Sequence, residues 1–192
     1  MKFAPIALAA ALLATGATGA LASASCFIGA SAGTTVTATQ VEDGATRIDA
    51  GATGIQGGPE VGCTFMLDSK LSLGALARYD FSNLRAAVDG ATLKSNGRWM
   101  VGGTVGYALN PGVNVYGLLG IAGTELRVPT IDTAKALGLV GGLGINLDIG
   151  QGPLSAFLEV NHIMFKSEDI GTINVKPSES VVRAGVRFSV GK

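Results

Sequence analysis

The chain carries one histidine, His162, and two cysteines, Cys26 and Cys63. Nucleophilic catalysis needs a serine within reach of a base that a third group orients. His162 is followed by Ile163, Met164 and Phe165, with Ser167 five positions on, a spacing that assembles no such trio. Two cysteines and one histidine do not make a zinc site. The glycines Gly138, Gly141, Gly142 and Gly144 look superficially like a nucleotide loop. They sit in a strand pattern that leads into a turn and another strand, with no helix to receive a phosphate. No metal and no cofactor is expected. The remaining chemistry lies in Glu60, Arg78, Asp80, Asn146, Asp148, Glu159, Asn161, Arg183 and Arg187, which interrupt otherwise apolar segments. If the apolar residues beside them face lipid, these side chains point to a common interior. Opposite charges there must pair or hold water, because an isolated buried charge is expensive. The expected outcome is a salt-bridge plug formed by Glu60, Arg78, Asp80, Asp148, Glu159, Arg183 and Arg187. A narrow ion path gated by those pairs is the functional alternative, and a catalytic carboxylate pair is disfavoured.

The elements that must position these residues are strands. From Leu71 to Phe81, Leu71, Leu73, Ala75, Ala77, Tyr79 and Phe81 alternate with Ser72, Gly74, Leu76, Arg78 and Asp80. Period two over such a length is a strand signal, and the length suits a tilted bilayer crossing. The last segment repeats it, with Val182, Ala184, Val186, Phe188 and Val190 against Arg183, Gly185 and Arg187. Similar alternation marks strands near 97–109, 113–125, 137–149 and 154–166, and less clearly 26–36 and 57–67. His162 falls among Leu158, Val160 and Met164, on an apolar face, where an interfacial role is expected.

Tight-turn signals at Asp68-Ser69-Lys70, Asn110-Pro111-Gly112 and Gly150-Gln151-Gly152-Pro153 recur about every 42 residues. Four such units make eight strands. Connections near 37–56, 83–96, 126–136 and 167–178 are longer and more polar. Short and long connections alternate strictly, as they do in outer-membrane barrels. Propeller blades recur at a similar period, but a blade would need four short strands per unit and no Trp-Asp signature occurs. Gly57-Gly58, Gly102-Gly103 and Gly141-Gly142 each open a strand that leads into a tight turn. In a narrow barrel such glycines leave room for long inward side chains.

Composition agrees. Charged residues are 15% and mean hydropathy is +0.42, yet after residue 24 no apolar run reaches the roughly 20 residues of a helical span. Met1-Lys2, the apolar run Phe3–Leu13 and Ala22-Ser23-Ala24 read as a signal peptide over 1–24, leaving 25–192 as one domain. Lys2 is the only charge in that segment, so 14 Lys+Arg become 13 against 14 Asp+Glu. No basic excess points to nucleic acid. Export permits a disulfide. Cys26 and Cys63 fall toward the same end of adjacent strands, so a bridge and two buried thiols both remain open.

Segment 57–82, from Gly-Gly-Pro-Glu-Val-Gly-Cys through Leu-Gly-Ala-Leu-Ala-Arg-Tyr-Asp-Phe-Ser, resembles the second and third strands of small opacity-type barrels, relatives of the OmpA/OmpX-like eight-stranded outer-membrane family. Arg183, Gly185, Phe188 and Val190 resemble that family's C-terminal assembly signal. Val190 stands where the final aromatic is usual, and Gly191-Lys192 trail beyond it. The resemblance implies an all-β, eight-stranded antiparallel up-and-down transmembrane barrel of the bacterial outer membrane, with short periplasmic turns and longer outer loops. It implies outer-membrane lipid and the outer-membrane assembly machinery as partners, no nucleic acid, a monomer, and a loop ligand that the sequence does not name. The expected role is structural or surface-interactive, without catalysis. A small ion channel is the alternative. A lipid A-modifying enzyme is a second, because lipid A deacylases are also small barrels, but their His-x-Ser-Asn arrangement is absent. A soluble periplasmic barrel is a third possibility.

Overall fold

The computed structural model describes residues 24–43, 46–82, 85–88, 91–128, 131–166, 168–170 and 173–190. The expected signal segment lies outside the described residues except for Ala24, which opens the first strand. Ten strands follow: β1 (Ala24–Asp43), β2 (Thr46–Met66), β3 (Leu71–Ser82), β4 (Arg85–Val88), β5 (Ala91–Asn110), β6 (Val113–Val128), β7 (Ile131–Asp148), β8 (Leu154–Phe165), β9 (Glu168–Ile170) and β10 (Ile173–Val190). Eight of them form a ring in the order β1-β2-β3-β5-β6-β7-β8-β10, and β10 pairs back onto β1. All neighbours are antiparallel. The short β4 and β9 fold back on β5 and β10. Closure satisfies the backbone without leaving an edge, which is what a lipid environment demands of strands.

The register fixes the barrel's dimensions. Starting at Phe27, the partners run through Gly62, Leu76, Gly102, Gly120, Val140, Ile163 and Glu179 and return to β1 at Thr37. The return lies ten residues further on, since 37 − 27 = 10. Eight strands with that stagger, at usual strand spacings, tilt by about 40° and enclose a backbone cylinder of about 8 Å radius. Eleven residues so tilted rise about 27 Å, close to the apolar band of such barrels.

Side chains sort as the alternation predicts. Leu73, Phe81, Val101, Leu119, Leu143 and Phe188 are exposed on the outer wall, whereas Glu60, Arg78, Asp80, Glu159 and Arg183 are buried inside. The interior also holds an apolar cluster of Leu76, Met100, Leu118, Ala122, Val140, Ile163 and Val181. The lumen is thus filled by a charged side and an apolar side together.

The three short turns lie at one end. Asp68 Oδ1 accepts the amides of Lys70 at 2.6 Å and Leu71 at 2.7 Å, which closes the first turn on itself. Gly112 and Gly150 take φ of 83° and 68°, a conformation that glycine adopts without a Cβ penalty. At the other end, the connections that read as polar loops contain much paired ladder. β1 and β2 stay in register up to Asp43 and Thr46, and β6 and β7 up to Val128 and Ile131. The Thr- and Val-bearing run from Thr34 to Thr39 explains this, because β-branched residues favour strands even where polarity suggests a loop. The strands therefore rise beyond the apolar band as arms.

Candidate functional site

Inward positions on β2, β3, β5, β6, β8 and β10 converge on one ion-pair network. Arg78 on β3 reaches Glu60 on β2 through Nη2 at 2.6 Å and Nε at 2.9 Å, and Glu159 on β8 through Nη1 at 2.7 Å. Arg187 on β10 donates from Nε to the other oxygen of Glu60 at 2.6 Å. Glu159 also accepts from Tyr116 at 2.8 Å and from Asn161 Nδ2 at 2.7 Å. Towards the arms, Arg183 clasps Asp80 at 2.8 and 3.0 Å. Arg98 lies 3.3 Å from Asp80 and 2.6 Å from Glu179, and it donates to Gln56. Four guanidiniums face four carboxylates. The charges are paired within the network, which is the condition for burying them at all, while Gln56 Nε2, Asn161 Oδ1 and Arg183 Nε are buried without a hydrogen-bond partner.

Aromatic side chains close the network toward the turns. Arg187 is surrounded by Phe157 at 4.0 Å, Phe27 at 4.7 Å and Tyr116 at 5.4 Å from the ring centroids, distances at which a cation is attracted to a ring face. Each ring lies over a glycine of the next strand: Phe27 over Gly62, Tyr116 over Gly144 and Phe157 over Gly185. A Cβ at Gly62 would stand 2.6 Å from the Phe27 ring. The inward glycines give the room that the sequence pattern anticipates. Below this layer a cavity of about 300 Å³ opens at the turn end, lined by Ser72, Thr104, Asn114, Asn146 and Ser155 and floored by Tyr116 and Arg187. Its lining mixes these polar groups with apolar ones, and it has room and partners for water.

Six of the seven anticipated charges sit in the network. Asp148 does not: it is exposed at the end of β7, beside the turn. Arg98, Gln56, Glu179 and Tyr116 also belong to the network and were not anticipated. Arg98 has the same parity as Met100, and Glu179 the same parity as Arg183. Arg98 follows a bulge between Ser95 and Arg98. Gly97 lies within it at φ 152°, and its missing Cβ leaves space for the Tyr79 hydroxyl. Bulges of this kind re-aim side chains at barrel rims.

Of the assembly-signal residues, Arg183 and Gly185 point inward, while Phe188 and Val190 are exposed on the outer wall near the turn end. Cys26 and Cys63 face each other across β1 and β2 and are joined, with Cα atoms 3.9 Å apart. By strand alternation the bridge is on the outer face. His162 is also on the outer face, and its Nδ1 lies 3.0 Å from Ser180 Oγ. Among the described residues no carboxylate bonds the ring, so only two parts of a three-part nucleophilic device are present. No group of metal-ligating side chains occurs among the described residues.

A family model described as "Outer membrane protein beta-barrel domain" matches residues 7–188. Among solved structures, Neisserial surface protein A matches with a TM-score of 0.51 at 13% identity, covering 86% of this chain and 97% of that one. Ail, the attachment invasion locus protein of Yersinia pestis, matches with a TM-score of 0.45 at 14% identity, covering 85% and 99%. The outer membrane protease OmpT of Escherichia coli matches with a TM-score of 0.47 at 10% identity, covering 86% and 97%. At such identities the likeness is one of fold. No curated protein sequence matches the chain.

Proposed function

We propose, from the premise that this chain belongs to the outer membrane protein β-barrel family and resides in the bacterial outer membrane, that it is a sealed, non-catalytic barrel that contributes to the envelope and presents its arms outward. The observation that carries this reading is the closed set of four guanidiniums and four carboxylates across the lumen. With the apolar cluster beside it, that set fills an interior that eight strands make just wide enough for side chains. A permanent ion path would need unpaired charge or a continuous water column. The cavity at the turn end has Arg187 and Tyr116, both members of the buried network, in its lining. The barrel is expected to arrive by signal-peptide export, with Arg183, Gly185, Phe188 and Val190 read by the assembly machinery, and to act as a monomer.

The test is single-channel recording of the folded barrel in planar bilayers. No steps above baseline are expected at neutral pH. Steady conductance that disappears on Arg78→Met or Glu159→Gln substitution overturns the sealed reading in favour of a pore. A mass change in lipid A that depends on both the chain and His162 overturns the non-catalytic reading.

A further inference from the structure

The outer wall is not uniformly convex. From the start of β3 across β5, β6, β7 and β8 it holds an apolar groove of about 510 Å³ bounded by Leu71, Val105, Val115, Leu143, Leu158 and Val160. The groove is open along the wall, a shallow trough and not an enclosed cavity. Its floor is open at Gly117, which by strand parity faces outward; a Cβ there would come no nearer than 4.0 Å to Leu143. Leu143 beside it is 73% exposed, so a bare floor adjoins a proud wall.

A cationic side chain stands at one end of the groove. The groove runs up from Leu71 and Tyr107, next to the first short turn. There the Lys70 ammonium lies 5.9 Å from the Tyr107 ring centroid. The carboxylate of the same turn, Asp68, is committed to the backbone amides of Lys70 and Leu71. A cation at the water boundary joined to an apolar trough is the polarity pattern of an amphiphile.

We infer that this groove seats one phospholipid of the periplasmic leaflet, with an acyl chain over Gly117 and the phosphate against Lys70. The groove removes a flexible chain from the surrounding lipid, and the lysine fixes the headgroup at the depth of the turn. This seat lies outside the lumen and stands or falls separately from the sealed interior.

The test is native mass spectrometry of the full barrel released from nanodiscs of phosphatidylethanolamine and phosphatidylglycerol. The expected spectrum shows a monomer retaining one phospholipid. Gly117→Leu, which fills the floor and favours a strand, should abolish retention. Lys70→Gln should lower it about fivefold, the effect of one basic side chain near a lipid surface. Heat-modified gel mobility reports whether each variant is folded; should Gly117→Leu not fold, Lys70→Gln alone decides. A monomer without lipid, equal retention in a folded Gly117→Leu or Lys70→Gln variant, or a dimer mass that Gly117→Leu abolishes, would each overturn the inference.

Discussion

Arg183 grips Asp80 with two parallel hydrogen bonds, 2.8 and 3.0 Å long, across the lumen from β10 to β3. These strands are not neighbours: β1 and β2 lie between them in the ring. The bond is therefore a cross-brace, and its fork geometry is one that lysine cannot reproduce. Arg78 makes a second brace, from β3 to β8. Opposite walls of the barrel are tied by charge, while adjacent strands are tied by backbone.

Removing one end of a brace should cost more than removing a surface pair. Arg78→Met leaves Glu60 and Glu159 buried without their shared partner, and a loss of about 3–5 kcal/mol is expected. Urea unfolding in lipid vesicles, followed by gel mobility, measures it. A loss below about 1 kcal/mol would mean that the pairs behave as exposed ones do.

The rings over glycines predict a specific coupling. Gly144→Val drives a side chain into Tyr116, an overpacking expected to cost about 1–3 kcal/mol. In a Tyr116→Ala background the same substitution should be tolerated. The double-mutant cycle isolates this term; additive losses would show that the ring and the glycine do not meet.

The Cys26–Cys63 bridge closes a sequence separation of 37 residues. On the chain-entropy account that is worth about 4 kcal/mol. Cys63→Ser, or unfolding and refolding under reductant, should lower the unfolding midpoint accordingly, with unchanged strand content by circular dichroism. An unchanged midpoint would place the benefit elsewhere, for example in pinning the β1–β2 register during assembly.

Much of this architecture was legible because membrane strands have few options. Period two in 71–81 and 181–190 marked both the strands and their faces, and with them Arg78, Asp80, Arg183 and Arg187; the same alternation in 57–67 and 154–166 placed Glu60 and Glu159. Asp148 misled because parity says which face a residue takes, not whether the barrel still encloses it at that height. Arg98 and Glu179 lay beside segments whose polarity read as loop. The apolar side of the lumen was hidden for a different reason: Leu76 and Met100 look the same in a sequence whether they meet lipid or each other. Only the ring of neighbours separates the two.

The first short turn predicts an acid response. The backbone amides of Lys70 and Leu71 hold the Asp68 carboxyl below the usual carboxylate range. A group whose folded value is depressed stabilises the fold above its unfolded value, and that contribution fades as pH falls through the folded value. A carboxyl carbon titration by NMR should place Asp68 below its ordinary value, and Asp68→Ala should remove that part of the acid sensitivity. Titration at the ordinary value would mean that the turn is open in solution.

The seam where the ring closes has its own notation. On β1, Gly29 and Gly33 are four residues apart; across from them on β10 stand Arg187 and Arg183, also four apart. A Cβ at Gly29 would meet Arg187 Cγ at 3.2 Å, and one at Gly33 would meet Arg183 Cβ at 2.7 Å. Each gap on the first strand thus matches a bulky side chain on the last. Sliding the seam by one residue would turn both arginines toward hydrocarbon. Sliding it by two would set Arg187 opposite Ser31 and change the girth of the cylinder. The first and last strands, though farthest apart along the chain, carry complementary teeth that mesh at one setting.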